Sequence, residues 1–500
     1  MIYKIIIITF MSCIAYSQQF DSVFFDELSR SNLKNALVRL NSFLKIPNAS
    51  RDLINIQKNV NWCQNEFEDL DFRVKRFNIN GTPFLLASKT IDDRLPSLLV
   101  YLQIDGVSVD ISKWAQKNPY VPVVKNNKGE IIDWDTFIKD PELNSKIYAR
   151  SSSDSKGPAV AFISALEIMK KEELSLPYNV KVIMDFEEEI SSPNLPILVK
   201  REIDAFKAKY LLIMDGSRFV ENKPTLTFGA RGIAKVDMTL FGPNVPVHSG
   251  QYGNFIPNPI YEASRLISSL KDSDGKVLIP NWYKDVQIDE NELALINKDM
   301  QPSLSIAHDF GVSSYEKVGQ SYQESLQYPS LNIRGIASGF VGKKARTIIP
   351  DKVEISIDIR LVPELGGEEA IRLLRQHLRT IGYRLLQNDP DAKTRKKYSK
   401  LVKFQSSIGY PAFQTPLSSN IGIWLKKAHM NALGFEPISI RRTGGSQPMA
   451  PFVNVLNLPA VAVRIPNPDN QIHAPNENIR VGNFLEGIRI NLGILTTPFE

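Results

Sequence analysis

Apolar residues along this chain recur with two different periods, and the alternation between them predicts the architecture. Leu33, Leu37, Leu40 and Leu44 stand at i, i+4, i+7 and i+11, with Phe43 beside them. That spacing predicts an amphipathic helix over 22–45, stopped by Pro47 and Asn48. Continuous apolar runs at 96–105, 178–185 and 210–214 read as buried strands, and 159–171 and 194–207 read as helices between them. Strands alternating with helices predict an α/β domain built on a mostly parallel sheet. From about Gly229 the pattern changes. Residues 233–241 and 353–361 alternate like half-buried strands, 259–270 and 368–381 read as helices, and 275–330 is polar without a clear period. Residues 389–400 are charged and read as a surface loop. The α/β pattern resumes after about 413, with a helix at 419–433, a strand at 460–464 and a helix at 482–493. The expected organisation is therefore one α/β domain over 18–230 and 413–500, interrupted by a smaller α+β domain over 231–412.

Composition narrows the class. Of 500 residues, 43% are hydrophobic and 23% charged, which excludes a disordered chain, a collagen-like repeat and a polytopic membrane protein. Sixty Lys and Arg against 54 Asp and Glu give a net charge of +6, without a long basic block, so no nucleic-acid partner is expected. Two cysteines exclude a disulfide scaffold and a Cys-rich zinc or iron–sulfur site. At the N-terminus, Lys4 precedes an apolar run over 5–11, and Ala15-Tyr16-Ser17 fits a small-x-small cleavage site. The run is too short to span a bilayer. The expectation is a signal peptide over 1–17, a mature chain from Gln18 without a transmembrane segment, and a periplasmic or extracellular location. A lipoprotein anchor at Cys13 and a buried N-terminal strand are the other readings.

Asp105, the Glu187–Glu189 run and Asp215 each follow the end of an apolar strand, where ligands of parallel sheets sit. Of adjacent Glu188 and Glu189, one could bind a metal and the other act as a general base, although an isolated acidic pair is more often solvated surface. There are five histidines. His377 and His429 fall within helical segments, and His308 has no motif around it. His248 and His473 stand in loops beside Gly or Pro and are the better ligand candidates.

The order of these pieces resembles the M20 family of zinc-dependent peptidases, and within it the branch of cytosolic and carnosine-type dipeptidases. The likeness runs through Val-Tyr-Leu-Gln-Ile-Asp (100–105), Ala-Arg-Ser-Ser-Ser-Asp-Ser-Lys-Gly-Pro (149–158), Asp-Phe-Glu-Glu-Glu (185–189) and Ile-Met-Asp-Gly (213–216). It continues through Thr-Phe-Gly-Ala-Arg-Gly (227–232), His-Ser-Gly-Gln-Tyr-Gly (248–253), Ala-Arg-Thr-Ile-Ile-Pro (345–350) and Ile-Arg-Leu-Val-Pro (359–363). Arg-Thr-Gly-Gly-Ser (442–446) and Ile-His-Ala-Pro-Asn-Glu (472–477) complete it.

The resemblance implies a zinc-peptidase-like catalytic domain carrying an inserted lid and dimerisation domain, and a homodimer. It implies that Asp154 bridges two metals, that Glu189 and His473 complete one of them, and that Asp215 serves the other. Glu188 looks like the base that takes a proton from the attacking water, and His248 like a lid histidine that reaches the partner subunit's site. Thr347, Arg360, Gly444, Gly445 and Ser446 look like substrate-holding residues. A guanidinium at 360 suits a free carboxylate.

One position departs from the pattern. The family places His-x-Asp where this chain has Gln103-Ile104-Asp105, so an amide stands where an imidazole should serve the second metal. Asp105 would normally orient that imidazole. Three readings follow: a weak second site suited to manganese or magnesium, an enzyme running on one zinc, or a relic that only binds peptides. Arg442-Thr443 also departs from the branch's Arg-Glu. The expected activity is hydrolysis of amide bonds in dipeptides or short peptides. Deacylation of N-acyl amino acids and peptide binding without catalysis are the alternatives.

Overall fold

In the computed structural model, residues 20–219, 221–297, 303–446 and 449–499 are described. Four apolar segments form the parallel centre of an eight-stranded sheet, in the order Asn179–Asp185, Ser97–Gln103, Tyr210–Ile213 and Ala460–Arg464. Leu98 to Leu102 are all buried, as expected of a strand covered on both faces. The sheet is mostly parallel, as expected, and its antiparallel pairs lie outside this centre. The hairpin Arg73–Ile79 and Thr82–Lys89 adds antiparallel strands at one side. Thr225–Thr227 runs antiparallel to Ala460–Arg464 and pairs in parallel with Ile438–Ile440 at the other. An Asn80-Gly81 turn with φ of 52° and 90° closes the hairpin, the left-handed pair that tight hairpins require.

Helices Ser22–Leu44, Lys156–Lys171, Asn420–Leu433 and Val481–Thr496 cover one face of the sheet, burying Leu33, Leu37, Leu40, Leu44, Trp424 and Ile488. Leu195–Arg201 and Ala450–Leu456 cover the other. The segment expected as one helix over 194–207 is a helix and a separate short turn, Ile203–Phe206. Fully buried Lys156 donates from Nζ to the carbonyls of Phe43 (2.9 Å) and Ile46 (2.7 Å), satisfying groups at the end of the first helix.

The inserted residues build a five-stranded sheet in the order Ser330–Ala337, Lys352–Leu361, Gly232–Phe241, Leu401–Ile408 and Arg384–Leu386, antiparallel except for its last pair. Burial alternates along Gly232–Phe241 and Lys352–Leu361, so one face is packed. Helices Pro259–Ser268 and Gly367–Thr380 supply Ala263, Leu266, Ile371 and Leu374 to that face. The chain leaves and re-enters the large domain side by side, Gly229–Ala230 pairing with Phe413–Gln414. The unassigned segment 275–330 contains short helices at Glu290–Asn297, Ser303–Asp309 and Tyr322–Ser325. The expected loop at 389–400 holds a short helix, Ala392–Lys397, capped by Asp391. Among the described residues no helix is long and apolar enough to cross a membrane. The proposed leader and Cys13 lie outside the described residues.

Candidate metal centre

The parallel strands end at one edge, and each delivers polar residues there: Gln103 and Asp105, then Asp185 to Glu189, then Asp215, then Arg464. Asp154 arrives from the loop before helix Lys156–Lys171, and His473 from the loop after strand Ala460–Arg464. Ligand atoms of Asp154, Glu189 and His473 lie within 4.8 Å of one another. His473 Nε2 is 2.9 Å from Asp154 Oδ2 and 3.0 Å from Glu189 Oε2. Its backbone φ is +58°, a left-handed conformation that costs a non-glycine residue and concentrates at functional sites.

Two carboxylates and an imidazole make a donor set suited to zinc. Apart from His473 Nε2, the buried Asp154 Oδ2 has no polar partner among the described residues, which fits an atom reserved for a cation. Without a cation, the carboxylates of Asp154 and then Glu189 hold His473 protonated, pushing it up to about 10. A metal would have to displace that proton.

Backbone and second-layer contacts set these groups in place. Glu477 is fully buried and accepts from the backbone N–H of Ser151 (2.9 Å), Ser153 (3.0 Å) and Asp154 (2.9 Å), from Ser153 Oγ (2.9 Å) and from Arg150 Nη1 (2.6 Å). Asp105 accepts from the backbone N–H of Glu188 and Glu189, both at 3.0 Å, and from Ser50 Oγ at 2.7 Å. It orients the carboxylate turn rather than a side chain at 103, and it does not line the cavity. Burial, then the nearby Asp185, pushes its carboxyl well above the usual range. Asp185 accepts from Tyr101 (2.9 Å), Ser192 (2.6 Å) and the Glu187 backbone (3.0 Å). Glu187 turns away, accepting from the Asn194 backbone (2.7 Å) and side chain (2.9 Å) and from Thr82 Oγ1 (3.0 Å).

Gln103 is buried, and its amide donates to Glu189 Oε1 at 3.2 Å. Ser155 Oγ lies 3.0 Å from Asp154 Oδ1 and 2.9 Å from Asp215 Oδ1. Glu188 faces a cavity of about 390 Å³ with Gln103, Asp154, Asp215, Gly444, Gly445, Ser446, Arg464 and His473. Burial, then Asp215 and Asp154, pushes the Glu188 carboxyl well above its ordinary range, as neighbouring negative charges in a buried acidic site do.

The remaining candidates sit further out. Arg360 Nη1 donates to Ser446 Oγ at 3.2 Å, at the margin of the glycine-rich loop. His248 and Thr347 face each other on the exposed lid, Nε2 to Oγ1 3.4 Å, and neither lines the cavity. His429 is buried, bonded to the Leu425 carbonyl and pushed down to about 4 by burial. His377 bonds Ser269 on the lid. Tyr322, Gln323 and Leu326 from the unassigned segment form part of the cavity wall, and no periodicity in the sequence pointed to them.

Residues 228–385 match the peptidase dimerisation domain of the M20 peptidases. Across the whole length, the chain is 26% identical over 475 residues to the Cys-Gly metallodipeptidase dug1 of Schizosaccharomyces pombe, covering 91% of this chain and 93% of that one. The fold superposes on the M20 family metallo-carboxypeptidase Sso-CP2 of Sulfolobus solfataricus with a TM-score of 0.75 and 26% identity, over 92% of this chain and 98% of the other. In sequence and in fold the chain is similar to M20 peptidases over most of its length. The chain is also 28% identical over 369 residues to the human Beta-Ala-His dipeptidase, 71% of this chain and 70% of that one. These likenesses make it a metal-dependent peptidase with an inserted dimerisation domain. The comparison corrects one expectation. The export read from the N-terminal run is not supported, because similar dipeptidases, the fission-yeast enzyme among them, are cytosolic.

Proposed function

We propose that this protein hydrolyses dipeptides or short peptides at the amide bond next to a free carboxylate. The observation that carries the reading is the convergence of Asp154, Glu189 and His473 beside Glu188 in one cavity of about 390 Å³. That volume lies at the small end of ligand sites. Asp154, Glu189 and His473 would hold a zinc ion, which lowers the pKa of water and polarises a carbonyl when bound. Glu188 takes the proton of the attacking water and returns it to the departing amine. Arg360 and Ser446, already bonded to each other, are placed to bind the terminal carboxylate with the backbone at Gly444 and Gly445. Manganese or magnesium would be the ion for any oxygen-rich second position.

The test is a turnover panel on zinc-loaded protein, with Cys-Gly and β-Ala-His first because two similar enzymes bear those names. Release of free amino acids is expected. Turnover confined to N-acetyl amino acids would mean a deacylase, and saturable dipeptide binding without product would mean a peptide-binding relic.

His248 and Thr347 stand away from this chain's own cavity, which supports a homodimer in which each lid completes the partner's site. His248→Ala is expected to lower kcat by about 10²–10³-fold, the usual effect of losing one oxyanion donor. Mixing that variant with Glu188→Gln should restore turnover, because a mixed dimer holds one site with both groups intact. Activity that stays lost on mixing, with mixed dimers shown to form, would remove the shared-site reading.

A further inference from the structure

We propose that this cavity takes a single divalent cation, at Asp154, Glu189 and His473, and that the Arg464 guanidinium supplies the second positive charge its carboxylates need. The inference rests on the metallohydrolase reading and goes beyond it, to how many cations this chain accepts.

Three placements carry it. Arg464 ends the strand Ala460–Arg464, which runs parallel to Tyr210–Ile213 with Ala462 opposite Ile213. Arg464 stands two residues beyond Ala462, and Asp215 two beyond Ile213, just past the end of its strand, so the register brings cation and carboxylate to the same sheet edge. The guanidinium then lies over Gly216: a Cβ there would fall 1.3 Å from Arg464 Nη1, and Gly216 has a φ of +86°. A side chain at 216 would therefore evict the arginine. Arg464 is buried, anchored from Nε to Thr227 Oγ1 at 3.1 Å, and still lines the cavity. A buried cation of this kind persists only where anions compensate it. Burial opposes its charge, and Asp215 and then Asp154 favour it.

Gln103 is the second placement. Its amide nitrogen points at Glu189 Oε1, so this side chain closes off one oxygen of a ligand carboxylate and offers no charge to an ion. A neutral amide is a poor zinc ligand. Ser155 is the third. One hydroxyl lies within hydrogen-bond reach of both Asp154 and Asp215, linking across the space a bridging ion would use. Two features of this cavity oppose a second metal, the amide at 103 and the guanidinium at 464.

The decisive measurement is metal stoichiometry. Chelator-stripped protein is titrated with zinc by calorimetry, and metal per chain is counted by mass spectrometry after desalting. Wild type is expected to retain one equivalent. Gln103→His alone should still retain one, since Arg464 continues to occupy the place. Gln103→His with Arg464→Met should retain two. Two equivalents in wild type or in Gln103→His would overturn the proposal while leaving the hydrolase reading intact. One equivalent in a folded double variant would overturn the role given to Arg464. If the double variant does not fold, the Gln103→His count decides alone. No retained zinc in wild type would instead remove the metallohydrolase reading itself.

Discussion

Glu188→Gln is expected to lower dipeptide turnover by about 10²–10⁴-fold, the usual contribution of a positioned general base, while zinc content stays at the wild-type value. The substitution keeps the shape of the side chain. It also keeps the backbone N–H of residue 188 on Asp105 Oδ1. The ligand atoms of Asp154, Glu189 and His473 are untouched, so metal retention should not change. Stability gives a further check. Glu188 stands among the carboxylates of Asp215, Asp154, Glu189 and Asp105, and removing one negative charge from that group relieves repulsion. The metal-free variant should therefore unfold at the same or a higher temperature than metal-free wild type. A slow variant that is also less stable would point to a structural defect, and full turnover would remove Glu188 from the chemistry.

The parts of this fold legible in the sequence are those with a strong single period. The helix Ser22–Leu44 shows its leucine stripe plainly, and the four central strands are mostly apolar runs because both faces are buried. Helix Leu53–Asp69 buries Ile56, Val60, Cys63 and Phe67 at the same i, i+4, i+7, i+11 spacing. Its other positions are mostly Asn, Gln and Glu, which thin the signal. Strand Ser330–Ala337 lies at a sheet edge with most of its residues exposed, so it lacks the alternation that marks Lys352–Leu361. The hairpin at Asn80-Gly81, a dipeptide that favours such turns, is absent from the expected elements because Arg73–Ile79 carries too few apolar residues to announce a strand beside it.

The candidate site divides the same way. Its acidic residues stand where strands end, and strand ends can be read locally. What holds them cannot. Glu477 contacts residues more than 320 positions away, and Arg464 meets Asp215 only because two distant strands share a register. Asp105 bonds the backbone of Glu188 and Glu189 across more than 80 positions, so its work at this site differs from that of a partner to an imidazole at 103. Contacts of this length leave no period in a single chain. They are set by topology, after the strands have found their neighbours.

Glu477→Gln should expose that dependence as a loss of about 3–5 kcal/mol of stability, the cost of stranding a buried charge. Arg150 and Glu477 are both buried, paired at 2.6 Å, and a neutral amide leaves the guanidinium uncompensated. The amide also brings two N–H donors into a cradle of donors, the backbone N–H groups of Ser151, Ser153 and Asp154. Whichever way it turns, one end meets N–H with N–H. Urea unfolding of the metal-free protein measures the loss. An exposed pair such as Arg372–Glu369 provides the control, where Glu369→Gln should cost at most about 1 kcal/mol. Removing both charges, with Arg150→Met and Glu477→Leu, should not restore stability. An isolated buried pair often tolerates apolar replacement, but here three backbone donors would lose their acceptor, at about 1–3 kcal/mol each. Because Asp154 is one of those three, zinc affinity should fall in both variants. A Glu477→Gln protein as stable as wild type, with unchanged zinc affinity, would show that the 150–154 loop holds its shape without this carboxylate.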